Sequence, residues 1–219
     1  MDMRGEIVVR RTALLYPAAL LFLALAAVVI TGCRPERQAA PTQPTMIKKS
    51  LPQPPTQPGE GEGETAMEIT SEAFAQGERL PDKYAREHQD LSPPLKWSGV
   101  PEQAVALALI CDDPDAPVGT WTHWLLWGLS PDRTELPEGV EAAQTLPELD
   151  GAKQGTNDFG DIGYGGPQPP RGTTHRYFFR LYALSEPLAL RPGAKASEVH
   201  AALEGKVLAK AEIMATYSR

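Results

Sequence analysis

The sequence predicts a mainly β domain over residues 67–219, and three observations carry the prediction. Ala104 to Cys111 (AVALALIC) and His123 to Leu129 (HWLLWGL) are apolar runs of strand length. Arg176 to Leu184 (RYFFRLYAL) is rich in aromatics, which favour strands. Between these runs lie clusters of proline and glycine, and only one stretch reads as a helix. Many strands and few helices indicate a β architecture with its function carried on loops.

Taken in order, Ala104 to Cys111 ends abruptly at Asp112 and Asp113, which suits a strand buried on both faces. The second run opens at His123, and the third lies between the loop before His175 and the turn residues Ser185 to Pro187. Ser197 is placed to cap a short helix through Leu203, closed by Gly205. Val207 to Tyr217 fits either a helix extension or a last strand, with a strand favoured after the first few residues. Ser92-Pro93-Pro94, Pro114 to Gly119 and Gly155 to Gly172 mark long connections, and no internal repeat is visible.

The chain has 219 residues, but its first 66 cannot contribute to a core. A domain of the remaining length buries roughly two-thirds of its unfolded surface, enough to fold without disulfide or metal. From residue 65 onward there are 14 basic and 22 acidic residues, so the folded part is acidic and nucleic acid is excluded as a partner. Cys111 lies in an apolar run and reads as a buried, inert thiol.

Residues 1–33 have the layout of a secretory leader. Arg4, Arg10 and Arg11 precede an apolar run of 18 residues from Ala13 to Ile30, followed by Thr31-Gly32-Cys33. Small residues before a cysteine resemble a bacterial lipobox, which implies cleavage after Gly32 and lipidation of Cys33. The competing reading is an uncleaved transmembrane anchor, since 18 residues is the short edge of a span. Both readings place the domain on the periplasmic or cell-surface side, held to a membrane. Residues 34–66 contain seven prolines, a Gly-Glu alternation and almost nothing apolar, so they read as a disordered tether. Its reach is roughly 30 Å as a flexible coil and about 100 Å as a proline-rich spacer at ~3.1 Å per residue.

The polar groups that carry chemistry stand at the strand ends. They are Asp113 and Asp115 in Asp-Pro-Asp-Ala-Pro, His123 in Trp-Thr-His-Trp, and His175 in Thr-His-Arg-Tyr. Polar side chains beside buried strands need partners, so Asp113 is expected to pair with one or both histidines. A carboxylate beside an imidazole favours the protonated ring, whose N–H groups suit a phosphate or carboxylate ligand. The loop Gly163 to Pro167 could add backbone amides, and Pro114, Pro117, Pro169 and Pro170 would stiffen the rim. Asp115 fits a turn-closing role equally well. His88 and His200 read as surface residues.

These runs, in this order, resemble the phosphatidylethanolamine-binding protein family. They are Asp113 to Pro117, Trp121 to Trp124, Gly165 to Pro170 and Thr174 to Tyr177. Ser92 to Leu95, Trp97-Ser98-Gly99, Asn157 to Gly160 and the terminal Tyr217-Ser218-Arg219 bring it closer to the bacterial branch, often labelled Raf kinase inhibitor-like. The resemblance implies two packed sheets, a β-sandwich with a few peripheral helices, and an anion pocket at one end. Asp113, His123 and His175 would line it, with Ala116, Pro117, Trp121, Gly166, Pro170 and Tyr177 as wall. Val118-Gly119-Thr120 is shorter than the equivalent segment in eukaryotic members, and a proline-rich insertion precedes His175.

The expected function is a membrane-tethered, extracytoplasmic binding protein for a small anionic ligand, a phosphoryl or carboxylate group such as a phospholipid headgroup. One alternative is a regulator of a protein partner, a protease or kinase, through the pocket rim. Another is an enzyme using the Asp/His pocket, although the chain has no G-x-S-x-G, no paired cysteines and no H-E-x-x-H. No cofactor or metal is expected. Affinity should fall as pH rises through the imidazole range.

Overall fold

The computed structural model describes residues 66–219. The predicted leader, Cys33 and all but the last residue of the predicted tether lie outside the described residues. Among the described residues no helix is long and apolar enough to cross a membrane.

Two antiparallel sheets form the domain. The smaller has the order β1-β2-β5, from β1 (Glu68–Thr70), β2 (Leu95–Ser98) and β5 (Glu135–Leu136). The larger has the order β6-β7-β4-β3-β8-β9, from β3 (Ala106–Asp113), β4 (Trp121–Leu129), β6 (Thr145–Leu146), β7 (Ala152–Gln154), β8 (Thr174–Leu184) and β9 (Val207–Ser218). One α-helix, α1 (Ala196–Leu203), and two single 3-10 turns complete the described elements.

The apolar runs are explained by where their faces point. Leu107, Leu109 and Cys111 of β3, with Trp124 and Leu126 of β4 and Phe179 and Leu181 of β8, meet Ile69, Leu95, Trp97 and Leu136 from the smaller sheet. On the opposite face, Ala108, Ile110, Leu125 and Trp127 are covered by Val199 and Leu203 of α1. Every residue of β3 is buried, so alternation disappears from its sequence. β8 keeps alternation, because its outer face is only partly covered.

Two local expectations are corrected. Ser197 does not cap α1; Lys195 stands at the cap, where its backbone N–H donates to the Glu198 carboxylate at 2.9 Å. This is the reciprocal half of a capping box; the Glu198 N–H, which a cap hydroxyl would accept, donates to the Lys195 carbonyl at 3.0 Å instead. β9 is strand from Val207, with no helical extension, because it pairs with β8 along its whole length from Leu184↔Val207 to Thr174↔Ser218. Gly205, at φ 72°, makes the left-handed turn between α1 and β9.

Candidate functional site

The site forms where β3, β4 and β8 end together. His175 and Tyr177 are odd-numbered residues of β8, on the same face as Phe179 and Leu181, and so project toward the inter-sheet side. β4 requires a different device. Cys111 faces Trp124 and Asp112 faces Thr122, so the ladder slips by one residue and His123 is left without a partner. This β-bulge reverses the parity of the strand. Thr122 turns to the far side with Asp112, while His123 stays against Tyr177 on the near side.

Asp113 and His175 form the central pair. The His175 Nδ1–H donates to Asp113 Oδ2 at 2.7 Å, with both side chains almost fully buried. The other oxygen, Asp113 Oδ1, accepts the Asp115 backbone N–H at 2.8 Å and so caps the turn after β3. His123 takes a different partner: its Nδ1–H donates to the Gly165 carbonyl at 2.5 Å. Asp113 therefore pairs with one histidine rather than two. Burial holds the His123 ring below the ordinary imidazole range, an effect larger than the opposing pull of the Gly165 carbonyl and Asp113. Each imidazole thus uses Nδ1 internally and leaves Nε2 as the nitrogen available to a ligand.

A cavity of about 200 Å³ opens over this floor. Asp113, Ala116, Pro117, Trp121, His123, Pro170 and His175 line it as the sequence predicts, joined by Val118, Phe159, Gln168 and Pro169. Two predicted wall residues do not border it. Gly166 is packed against the backbone of Tyr84 to Arg86, where a Cβ would overlap the Tyr84 carbonyl, and its N–H donates to Asp90 at 2.6 Å. Tyr177 sits below the floor with its ring edge-on to His123 at 5.1 Å. The expected supply of free amides from the glycine-rich loop is also absent: Gly163 N–H donates to Gly155 and Gly165 N–H to His123. That loop shapes the site by close packing.

Asp115 neither lines the cavity nor closes the turn with its side chain, since the turn is capped by Asp113. It holds Arg176 through both guanidinium and backbone bonds at 2.7–3.0 Å, and this arginine keeps its carboxyl below the usual range. His88 and His200 are exposed, and Cys111 is a free buried thiol pushed well up by burial. Among the described residues no group of three or more His, Cys, Asp or Glu is placed to hold a metal ion.

Two buried donors beside the floor, the Tyr177 hydroxyl and the Trp121 indole N–H, have no partner among the described residues. Burial, helped by Asp113, pushes the Tyr177 hydroxyl far up, so it stays protonated. A larger hollow of about 650 Å³ lies against Ala189 to Ala194 and Glu198. Its charged side chains, Arg191 and Glu198, are exposed, so its size brings no buried polar group to bear.

Phe159 could have been suspected from Asn157-Asp158-Phe159-Gly160, which stood out as a motif; Val118 gave no signal beyond its place in a proline turn. Phe159 is fixed by edge contacts with Trp121 and His123 at 5.3 and 5.4 Å, and the Arg86 guanidinium lies 4.1 Å from its ring centre. Its loop is tied to β4, since Asp158 Oδ2 accepts the Thr122 N–H and Asp158 N–H donates to the Thr122 carbonyl.

The chain is 50% identical over 153 residues to the UPF0098 protein of Methanothermobacter thermautotrophicus, covering 70% of this chain and 99% of that one. It is 46% identical over 159 residues to the UPF0098 protein of Aquifex aeolicus, covering 72% and 91%. Among solved structures it is similar to a phosphatidylethanolamine-binding protein homologue of Chlamydia trachomatis, with TM-score 0.63 and 41% identity over 70% of this chain and 98% of that one. Escherichia coli YbcL, described as a member of the mammalian PEBP family, gives TM-score 0.67 and 32% identity over 71% and 99%. The family model for phosphatidylethanolamine-binding proteins matches residues 70–218. With that match added to the two-sheet fold and the buried Asp113–His175 pair, the chain belongs to the phosphatidylethanolamine-binding protein family.

Proposed function

We propose that the domain is a binding module for a small anionic group, phosphoryl or carboxylate, carried outside the cytoplasm on a lipidated Cys33. The observation that carries the reading is the pair of imidazoles at the cavity floor. Each is anchored through Nδ1, one on Asp113 and one on the Gly165 carbonyl, so each meets a ligand with Nε2. Protonated, those two nitrogens are converging donors for one anion. Charge-assisted bonds of this kind contribute roughly 1.5–3 kcal/mol each, enough for a modest affinity with a defined orientation.

Binding rather than catalysis is favoured by the lining, which offers no serine, threonine or cysteine as a nucleophile. The anchor rests on the leader and Thr31-Gly32-Cys33, and the proline-rich tether would let the domain sample its membrane surface. The test is titration calorimetry of the full chain, in detergent, with inorganic phosphate, phosphoethanolamine and acetate. Saturable binding that is lost in a folded His175→Ala variant supports the pocket; no heat with any of the three refutes it. Incorporation of labelled palmitate that disappears in Cys33→Ala tests the anchor separately.

A further inference from the structure

Gly165 and Gly166 are joined by one peptide group, and both of its polar ends are held. Its carbonyl accepts the His123 Nδ1–H, and its N–H donates to Asp90 Oδ1 at 2.6 Å. The carbonyl and N–H of a trans peptide point in opposite directions, so this group bridges the cavity floor to a residue that does not line the cavity.

The sense of that bridge matters. Both flanking residues are glycine, so no Cβ restricts rotation of the peptide between them. Turned over, it would bring an N–H against His123 Nδ1, and the ring proton would have to sit on Nε2 instead. The same turn would set the Gly165 carbonyl against the Asp90 carboxylate, two acceptors with no proton between them. Asp90 therefore accepts only one of the two orientations.

Asp90 is itself held for this contact. It is one of two non-glycine residues with positive φ among the described residues, at 54°, a backbone that L residues other than Asn and Asp adopt least readily. Its N–H donates to the Ala85 carbonyl at 3.3 Å and its Oδ2 lies 3.5 Å from the Arg86 guanidinium, which leaves Oδ1 for Gly166. The neighbouring Gly165 N–H donates to the His123 carbonyl at 2.9 Å, so the loop and β4 are already in contact.

We infer that Asp90 is a positioning residue of the site: by holding the Gly165–Gly166 peptide in one sense, it keeps the neutral His123 ring protonated on Nδ1 and turns a bare Nε2 to the cavity. The floor then has two imidazoles backed by carboxylates, His175 by Asp113 directly and His123 by Asp90 through one peptide. A carboxylate on the N–H of a peptide polarises its carbonyl and strengthens the bond that carbonyl accepts. The consequence for binding rests on the anion reading above: a bare Nε2 takes up its proton together with an anion, whereas an Nε2–H already in place does not.

The test needs no ligand and uses the full chain in detergent with isotope-labelled histidine. Two-bond proton–nitrogen correlation spectra, recorded above the imidazole range, read which ring nitrogen carries the proton. The chain has four histidines, and His123→Phe assigns the one at issue. Wild type should show the His123 proton on Nδ1. Asp90→Gly removes the carboxylate and suits the left-handed backbone, so it should shift His123 toward the Nε2–H form and leave His175 unchanged. Asp90→Asn keeps an acceptor without the charge, and should retain Nδ1–H with its proton resonance moved upfield. Glu87→Gln, which loosens the Glu87–Arg219 pair three residues before Asp90, should alter neither ring.

A wild-type proton on Nε2 overturns the inference, and so does a folded Asp90→Gly with the wild-type pattern. A Glu87→Gln effect equal to that of Asp90→Gly also overturns it, by assigning the change to general loosening. Should Asp90→Gly fail to fold, Asp90→Asn decides: an upfield Nδ1 proton supports the inference and an unmoved one overturns it. Titration of wild type with inorganic phosphate and acetate is a separate arm. Absence of binding there refutes the anion reading and leaves the tautomer result as measured.

Discussion

Asp112 and Asp113 are neighbours on β3, both buried at 3% exposure, yet they face opposite sides of the sheet and have different work. Asp112 is enclosed by its own fold: Thr122 Oγ1 donates at 3.2 Å and the Arg180 guanidinium at 2.9 Å, with Arg180 held in turn by Glu212. Burial still raises its carboxyl, the arginine only partly opposing it. Asp113 has as its side-chain partner a histidine that keeps its second nitrogen for something else, and a cavity lies above it. The contrast teaches that a buried charge does not by itself mark a site. A site needs a partner left half-satisfied and room beside it.

The comparison can be broken most severely at Arg180. Arg180→Met removes the cation from Asp112 and should lower stability by about 3 kcal/mol, because a buried carboxylate is left without its ion pair. The denaturation midpoint reads this directly, and anion affinity in the still-folded variant should change little. A loss under about 1 kcal/mol would mean that Thr122 alone satisfies Asp112.

Asp113→Asn should have the reverse profile. The amide keeps the shape and can still accept the Asp115 N–H, but it no longer holds the His175 imidazole with a charge. Phosphate affinity should fall about tenfold, with a smaller effect on stability than Arg180→Met. Unaltered affinity would assign the pair to architecture alone.

A pH series sharpens the role of His123. Its ring is held below the ordinary value in the free protein, and an anion at Nε2 favours the protonated form. Its value must therefore rise on binding, so affinity weakens as pH rises through the bound-state value and stops improving below the free-state value. In the absence of ligand the same shift acts on folding with the opposite sense. The group is easier to protonate when unfolded, so its contribution to stability is present above about pH 6.5 and is lost as pH falls from there toward the folded-state value. His123→Phe should flatten that acid limb. An identical acid limb in wild type and variant would remove His123 as its cause.

The smallest effect is expected at Arg176→Ala. Its pairing with Asp115 is bidentate but half-exposed, and such pairs contribute up to about 1 kcal/mol. Thermal unfolding should show a slight drop that shrinks further in high salt.

Much of this was legible in the sequence because the informative patterns are local. The apolar runs ending at Asp112–Asp113 and beginning at His123 gave β3 and β4, and the aromatic run after His175 gave β8. The helix near Ser197 was found, but its cap was missed because the cap position is Lys195, which has no hydroxyl and is marked only by the return bond from its N–H to Glu198. β9 was left open between helix and strand, since its alternating pattern, Ala211, Ile213, Ala215 and Tyr217, gains its meaning only against β8. In the pocket, Asp113, His123 and His175 were readable from their places at strand ends. Gly166 and the amides of its loop were misplaced, because their partners, Asp90 and His123, lie far away along the chain.

By itself the sequence determined that one acidic, mainly β domain follows an apolar run and a proline-rich stretch, and that three polar groups stand where strands end. Strand length, turn chemistry and charge are properties of neighbouring residues and survive without knowledge of the fold. The tertiary structure alone decided that β3 lies between β4 and β8, which brings Asp113 against His175 across 62 positions of sequence. It alone decided that a bulge turns His123 toward the same floor, and that Phe159 and Val118 wall the cavity above it. Those outcomes depend on sheet order and register, which are settled by packing two faces of one sheet at once and leave no mark on any single stretch of chain.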